Sequence, residues 1–82
     1  MILFDNIEAI KKFMKKLGKV PTKNSKVKEN CEWFSSVNYT TLSEYVGELS
    51  FFVDELLEQK EFFRYKSQLL ELKRVLARMF SY

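Results

Sequence analysis

The sequence predicts an all-α fold, a compact three- to four-helix bundle that ends in an antiparallel helical hairpin. Apolar residues recur at intervals of three and four along most of the chain, which is the period of a helix. One such stripe fails after Leu57 and another begins at Phe62, which favours two helices joined by a turn. The composition, 46% apolar and 30% charged, is that of a globular chain, and we expect residues 1–82 to form a single domain.

The first helix is predicted to begin at Asp5, which has capping-box spacing with Glu8 three positions later. We expect Gly18 to follow the last turn in the left-handed conformation, and Pro21 confirms the stop. The core face of this helix is predicted to carry Ile7, Ile10, Met14 and Leu17. The opposite face is predicted to carry Lys11, Lys12, Lys15 and Lys16.

A second, shorter helix is predicted over residues 26–36, with either Asn24 or Ser25 as its cap. Its core face is predicted to carry Val27, Cys31 and Phe34, with Trp33 beside that face. As the only cysteine, Cys31 can form no intrachain disulfide, and we interpret it as a small buried apolar residue. Residues 37–41 are expected to form a turn or a short extended segment.

The third helix is predicted to start at a capping box of Thr41 and Glu44. Its apolar stripe is Leu42, Tyr45, Val46, Leu49, Phe52, Val53, Leu56 and Leu57. A tight turn at residues 58–60 is predicted to lead into the last helix, although one long helix that changes partners is the alternative. The last helix is predicted to bury Phe62, Tyr65, Leu69, Leu72, Leu76 and Met79.

The residue inventory argues against an enzyme. The chain has no histidine and a single cysteine, so it lacks the commonest general base and any zinc set. Its two glycines lie far apart, which excludes a glycine-rich phosphate loop. We therefore expect no catalytic residue, metal or other cofactor. The single cysteine and an N-terminus without an apolar signal region predict a cytoplasmic protein. No apolar run reaches about 18–20 residues, so we expect no integral membrane association.

Charge is segregated along the chain. Residues 1–28 carry eight lysines and two acids, residues 29–58 carry seven acids and no base, and residues 59–82 carry six bases and two acids. Such blocks either dock against one another or present separate charged surfaces to partners. The abundance of Lys, Asn, Phe and Tyr fits an AT-rich genome, including those of phages and mobile elements.

The leading functional hypothesis is a protein–protein interaction module, a regulator or inhibitor that docks on a larger assembly. Phe51 is predicted to point away from the core stripe among acidic side chains, an arrangement typical of an interface anchor with a polar rim. The alternative is that the bundle buries Phe51. The predicted protein-binding residues are Phe51, Glu44, Glu48, Glu55, Phe63 and Leu70. The apolar flank of residues 63–82 also allows a homodimer.

The alternative function is nucleic-acid binding by the lysine-rich segment 11–28. Lysine neutralises phosphate, but base reading favours arginine, so little sequence specificity is expected. The competing interpretation is a solvated helix face, and a third possibility is a peripheral membrane contact through the first helix. A helix-turn-helix pair is disfavoured by the long loop before the second helix. The predicted phosphate-contacting residues are Lys15, Lys16, Lys19, Lys23, Lys26, Lys28, Arg64, Arg74 and Arg78.

Overall fold

The computed structural model describes residues 6–80, which form α-helices and one 3₁₀ helix and contain no strand. The α-helices are α1 (Ile7–Leu17), α2 (Ser25–Ser36), α3 (Tyr39–Glu44), α4 (Val46–Leu57) and α5 (Lys66–Phe80), and the 3₁₀ helix spans Lys60–Tyr65. Two helix pairs dominate the packing, α1 with α2 and α4 with α5, while α3 contacts both α1 and α4. The predicted all-α bundle is confirmed.

The start of α1 differs slightly from the prediction. Asn6 is the N-cap, and its side chain accepts a hydrogen bond from the Ala9 backbone N–H at 2.9 Å. Asp5, the predicted cap, lies outside the described residues. The predicted apolar face is buried, joined by Phe13, and Lys12, Lys15 and Lys16 are exposed as expected.

Gly18 does not adopt the left-handed conformation that we predicted. Its φ and ψ are −64° and −15°, which is ordinary right-handed backbone. A side-chain carbon added at Gly18 would lie 3.5 Å from the Cβ of Cys31 on α2. The glycine therefore lies at the contact between α1 and α2, and the end of α1 needs no positive φ.

The second helix follows the prediction closely. Asn24 is its cap, because its side-chain oxygen accepts a hydrogen bond from the Val27 backbone N–H at 3.2 Å. Val27, Cys31 and Phe34 are buried on one face. Val37 is extended, as expected, but the prediction of a turn or extended segment over residues 37–41 is wrong beyond Asn38, because α3 begins at Tyr39.

The predicted third helix is two helices. It starts earlier than Thr41, because Asn38 caps α3 by accepting a hydrogen bond from the Thr41 backbone N–H at 2.8 Å. Tyr45, with φ −105° and ψ 22°, then separates α3 from α4. The break allows α3 to pack on α1 while α4 packs on α5. The break therefore coincides with a change of packing partner, and none of residues 44–46 is a glycine or a proline.

We expect Asn38→Ala to lower the free energy of unfolding by about 1 kcal/mol, because it removes the cap of α3. Urea denaturation followed by circular dichroism measures this loss. Thr41→Ala is the matched control, since Thr41 contributes only its backbone N–H to the cap. A larger loss of unfolding free energy for the Thr41 variant would indicate that the Thr41 side chain is the cap, as the sequence predicts.

The C-terminal hairpin is present. Helix α4 ends at Leu57, and Gln59 is extended with φ −91° and ψ 126°. Lys73 on α5 donates a hydrogen bond to Asp54 on α4, and Met79 lies beside Val46, so the two helices run antiparallel. The alternative of one long helix is excluded. The connection is longer than the predicted turn, because the 3₁₀ helix follows it and carries Phe62.

A single apolar core joins these elements. It contains the buried side chains Ile7, Ile10, Phe13, Met14, Leu17, Val27, Cys31, Phe34, Leu42, Val46, Leu49, Phe52, Val53, Leu56, Phe62, Leu69, Leu72 and Leu76. No polar or charged residue of the described part of the chain is buried. Between residues 6 and 80, no helix combines the length and apolar character needed to cross a membrane.

Candidate functional site

Large apolar side chains on the surface mark the places where this protein can meet a partner. Among the large apolar residues that the structure describes, Phe51 has the greatest exposed fraction, 77%, and Phe63 is 56% exposed. The other exposed large apolar residues in the described part of the chain are Trp33, Tyr39, Tyr45 and Leu70. Because burying an aromatic ring is strongly favourable in water, contiguous exposed rings indicate a binding surface.

Three of these rings surround one concavity between α2 and α4, which we name the aromatic groove. Trp33, Tyr45 and Phe51 are its exposed aromatic residues, and Trp33 and Tyr45 are each 41% exposed. Phe34 and Phe52, both buried, form its floor. The groove thus presents an apolar aromatic surface that is open to solvent.

Four of the rings, those of Trp33, Phe34, Tyr45 and Phe52, contact one another. The Trp33 and Tyr45 rings meet edge to face, with centroids 5.1 Å apart, and Trp33 makes a similar contact with Phe34. Phe34 stacks on Phe52 with centroids 5.7 Å apart, which connects α2 to α4. Edge-to-face and offset stacked pairs are the favoured aromatic geometries. The groove is therefore supported by the core beneath it and needs little reorganisation to bind.

The charged side chains that line the groove are acidic. Glu48 and Glu55 are exposed and line it on the same helix as Phe51. Glu44 is exposed beside a second concavity, which shares Phe51 and Glu48 with the groove and also includes Met79. Among residues 6–80, neither Glu44, Glu48 nor Glu55 has a basic group within 4 Å. These carboxylates are available to a cationic partner.

Leu70 lies on the same outer face of the hairpin as Phe51. Leu70 precedes Lys73 by three residues, Phe51 precedes Asp54 by three, and Lys73 and Asp54 are bonded to each other. The exposed side chains of Phe51 and Leu70 therefore flank the seam between α4 and α5. Phe63 is exposed in the 3₁₀ helix and does not line the aromatic groove.

The predicted basic residues do not form one strip. Lys16, Lys19 and Arg64 line a concavity beside Tyr65, and we name these three residues the basic cluster. Lys15, Lys26 and Lys28 are exposed outside it, and Lys23 lines a neighbouring concavity with Glu61. Arg74 lies 3.4 Å from Glu71, and Arg78 is exposed near the end of α5.

Phe51 is exposed, as the sequence predicts, whereas the sequence predicts no binding role for Trp33 or Tyr45, which also line the groove. Tyr45 was predicted to be a core residue, yet it is exposed because the chain breaks between α3 and α4 at this position. Trp33 was placed beside the core face of α2 without a function. Its off-stripe position was the available signal, since a large ring at the edge of a core face often contacts both protein and solvent.

Cys31 has the buried position that the sequence predicted. Burial raises the pKa of its thiol from the ordinary 9.0 to about 12, and the nearby Glu32 carboxylate adds to the rise. The thiol therefore stays protonated and unreactive at neutral pH. In the part of the chain that the structure describes, no three His, Cys, Asp or Glu side chains are grouped to hold a metal ion.

Fold and surface together define an all-α bundle with an acidic aromatic groove and a separate basic cluster. No known protein family, curated protein or solved structure matches this chain.

Proposed function

We propose that this protein is a non-enzymatic interaction module that binds a partner protein through the aromatic groove. The observation that carries the proposal is the cluster of exposed rings, with Phe51 at 77% exposure beside Trp33 and Tyr45. Aromatic residues dominate the binding energy of protein interfaces when they are central and rimmed by polar groups. In this proposal the protein acts as a regulator or inhibitor on a larger assembly.

The partner that fits the groove is a basic amphipathic helix of another protein. A concavity between two helices matches the mode in which an apolar helix face lies in a groove. Glu48 and Glu55 would pair with lysine or arginine at the edge of that helix, and Trp33 would accept a cation over its ring. An acidic partner would meet repulsion from the same carboxylates.

A designed peptide tests this proposal directly. We expect a synthetic amphipathic helix with leucine on one face and arginine on the other to change the fluorescence of Trp33, the only tryptophan of the chain. Phe51→Asp should weaken this binding roughly 30-fold, as expected for loss of a central aromatic anchor. Because the substitution adds an acid, electrostatics alone would predict tighter binding of a basic peptide, so a loss reports the apolar anchor.

The matched control is Phe63→Asp, which makes the same change at another exposed ring outside the groove. It should leave the affinity unchanged, and replacing both Glu48 and Glu55 with Gln should weaken binding in a salt-dependent manner. Equal losses in the Phe51 and Phe63 variants would contradict the proposed site. Equal binding of a peptide with glutamate in place of arginine would contradict the proposed partner chemistry.

A further inference from the structure

We propose a second binding site, at the basic cluster, for the backbone phosphates of a nucleic-acid strand. This site lies between the end of α1 and the 3₁₀ helix and shares no lining residue with the aromatic groove. It is therefore independent of the proposed protein-binding function, and each proposal can fail without the other.

Cationic groups from distant parts of the chain converge at this site. The Lys16 Nζ lies 5.4 Å from the Tyr65 ring centroid, and the Arg64 guanidinium carbon lies 5.5 Å from the same point. Lys19 lines the same concavity. Within residues 6–80, none of these three cations has a carboxylate within 4 Å, so their charge is available to a ligand.

Glu61 is the one acid among the described residues that line the concavity. Its carboxylate accepts a hydrogen bond of 2.7 Å from the Thr22 hydroxyl and makes no ion pair with the basic cluster. This bond, with a smaller contribution from the Glu61 backbone, lowers the pKa of the carboxyl group. Glu61 is thus ionised but turned toward Thr22, and three cations face one acid at the site.

The spacing of the cations favours a polyanion over a single carboxylate as the ligand. Lys12 precedes Lys16 by four residues on α1 and is exposed, so a further cation lies about one helical turn, or about 5.4 Å, from the cluster. A strand with regularly spaced phosphates would contact several of these cations at once and release several counterions. Arginine adds a bidentate contact to phosphate that lysine cannot make.

The site predicts binding without sequence preference. The Tyr65 ring is half-buried and is already approached by two cations, so it is not a free platform on which a base can stack. The cluster supplies charge at a concave surface and no groups arranged to recognise base edges. A membrane surface fits less well, because Val20 is half-buried and no large exposed apolar side chain lines the concavity to insert into lipid.

Fluorescence anisotropy with a labelled oligothymidine strand tests the proposal. We expect measurable binding at low salt that weakens as the salt concentration rises. The slope of the logarithm of the affinity against the logarithm of the salt concentration should become less steep by about 0.7 for each phosphate contact removed. Lys16→Gln and Arg64→Gln should each weaken binding several-fold. Lys28→Gln and Arg78→Gln are matched controls, because they remove the same charges outside the cluster, and their effect should be clearly smaller.

Removal of the local acid provides the opposite test. Glu61→Gln should strengthen binding, whereas Glu55→Gln, which changes the net charge equally but lies in the aromatic groove, should have little effect. The absence of oligonucleotide binding at low salt would overturn the proposal. Equal losses in the cluster and control variants, or binding only to vesicles of anionic phospholipid, would overturn it as well.

Discussion

Phe62→Ala is expected to lower the free energy of unfolding by about 3–5 kcal/mol. Phe62 is 1% exposed and lies in the 3₁₀ helix that joins α4 to α5. Its truncation would leave a cavity where the hairpin closes, because the ring belongs to the shared apolar core. A domain of ordinary stability has only about 5–15 kcal/mol to lose, so this substitution would remove a substantial part of its free energy of unfolding.

The neighbouring residue supplies the control for this prediction. Phe63 has the same side chain in the same 3₁₀ helix but is 56% exposed, so Phe63→Ala should change the stability by less than about 0.5 kcal/mol. Urea denaturation followed by circular dichroism at 222 nm compares the two variants with the parent protein. Similar losses for both variants would show that the burial of Phe62 does not determine the stability of the hairpin.

The main features of this fold could be predicted from the sequence because each helix buries one regular face. The stripes on α1, α2 and α5 follow helical spacing, and their central members are buried. The change of stripe between Leu57 and Phe62 located the hairpin, although neither glycine nor proline marks it. The spacing of apolar residues predicts which face of a helix is buried, because a side chain half a helical turn away from that face is exposed to water.

The break at Tyr45 could not be predicted in the same way. Leu42, Val46 and Leu49 continue one helical stripe across it, so their spacing fits a straight helix as well as a broken one. The difference arises from tertiary contacts, since α3 packs on α1 and α4 packs on α5. Those contacts join residues far apart in the chain, so the spacing of neighbouring residues does not indicate them.

The same distinction applies to the two candidate sites. Phe51 could be found from a helical wheel because it points away from every core position of α4. Trp33 and Tyr45 lie on different helices, and only the fold brings their rings to within 5.1 Å. The basic cluster likewise requires α1 and the 3₁₀ helix to meet, which the lysine pattern alone does not indicate.

The segregation of charge remains visible on the folded surface. Of the seven acids in residues 29–58, only Asp54 forms an ion pair with a basic residue in the described part of the chain, and that partner is Lys73. Contact between the acidic segment 29–58 and the basic segments therefore neutralises only one of these acids in the described part of the chain. The remaining six are exposed, so a cationic partner and an anionic partner would be directed to different surfaces of one small protein.

A large loss of folding stability is expected at alkaline pH, and it originates at Cys31. Its thiol pKa is raised to about 12 when the protein is folded, against 9.0 for an exposed thiol. The native state therefore holds its proton more tightly, and this contribution to stability is fully present below pH 9. As the pH rises toward 12, the unfolded state loses the proton first, and stability should fall by about 1.4 kcal/mol per pH unit.

The Cys31→Ala variant isolates this contribution, because lysine and tyrosine side chains also titrate at alkaline pH in both proteins. Urea denaturation under reducing conditions should show the parent more stable than this variant at neutral pH, with the difference shrinking and then reversing as the pH rises above 9. Val27→Ala is the control, since Val27 is a fully buried neighbour on α2 that carries no ionisable group. Its stability deficit relative to the parent should stay constant with pH.

Parallel curves of stability against pH for the parent and Cys31→Ala would mean that the thiol ionises in the folded core as easily as in water. The complete burial of Cys31 argues against that outcome.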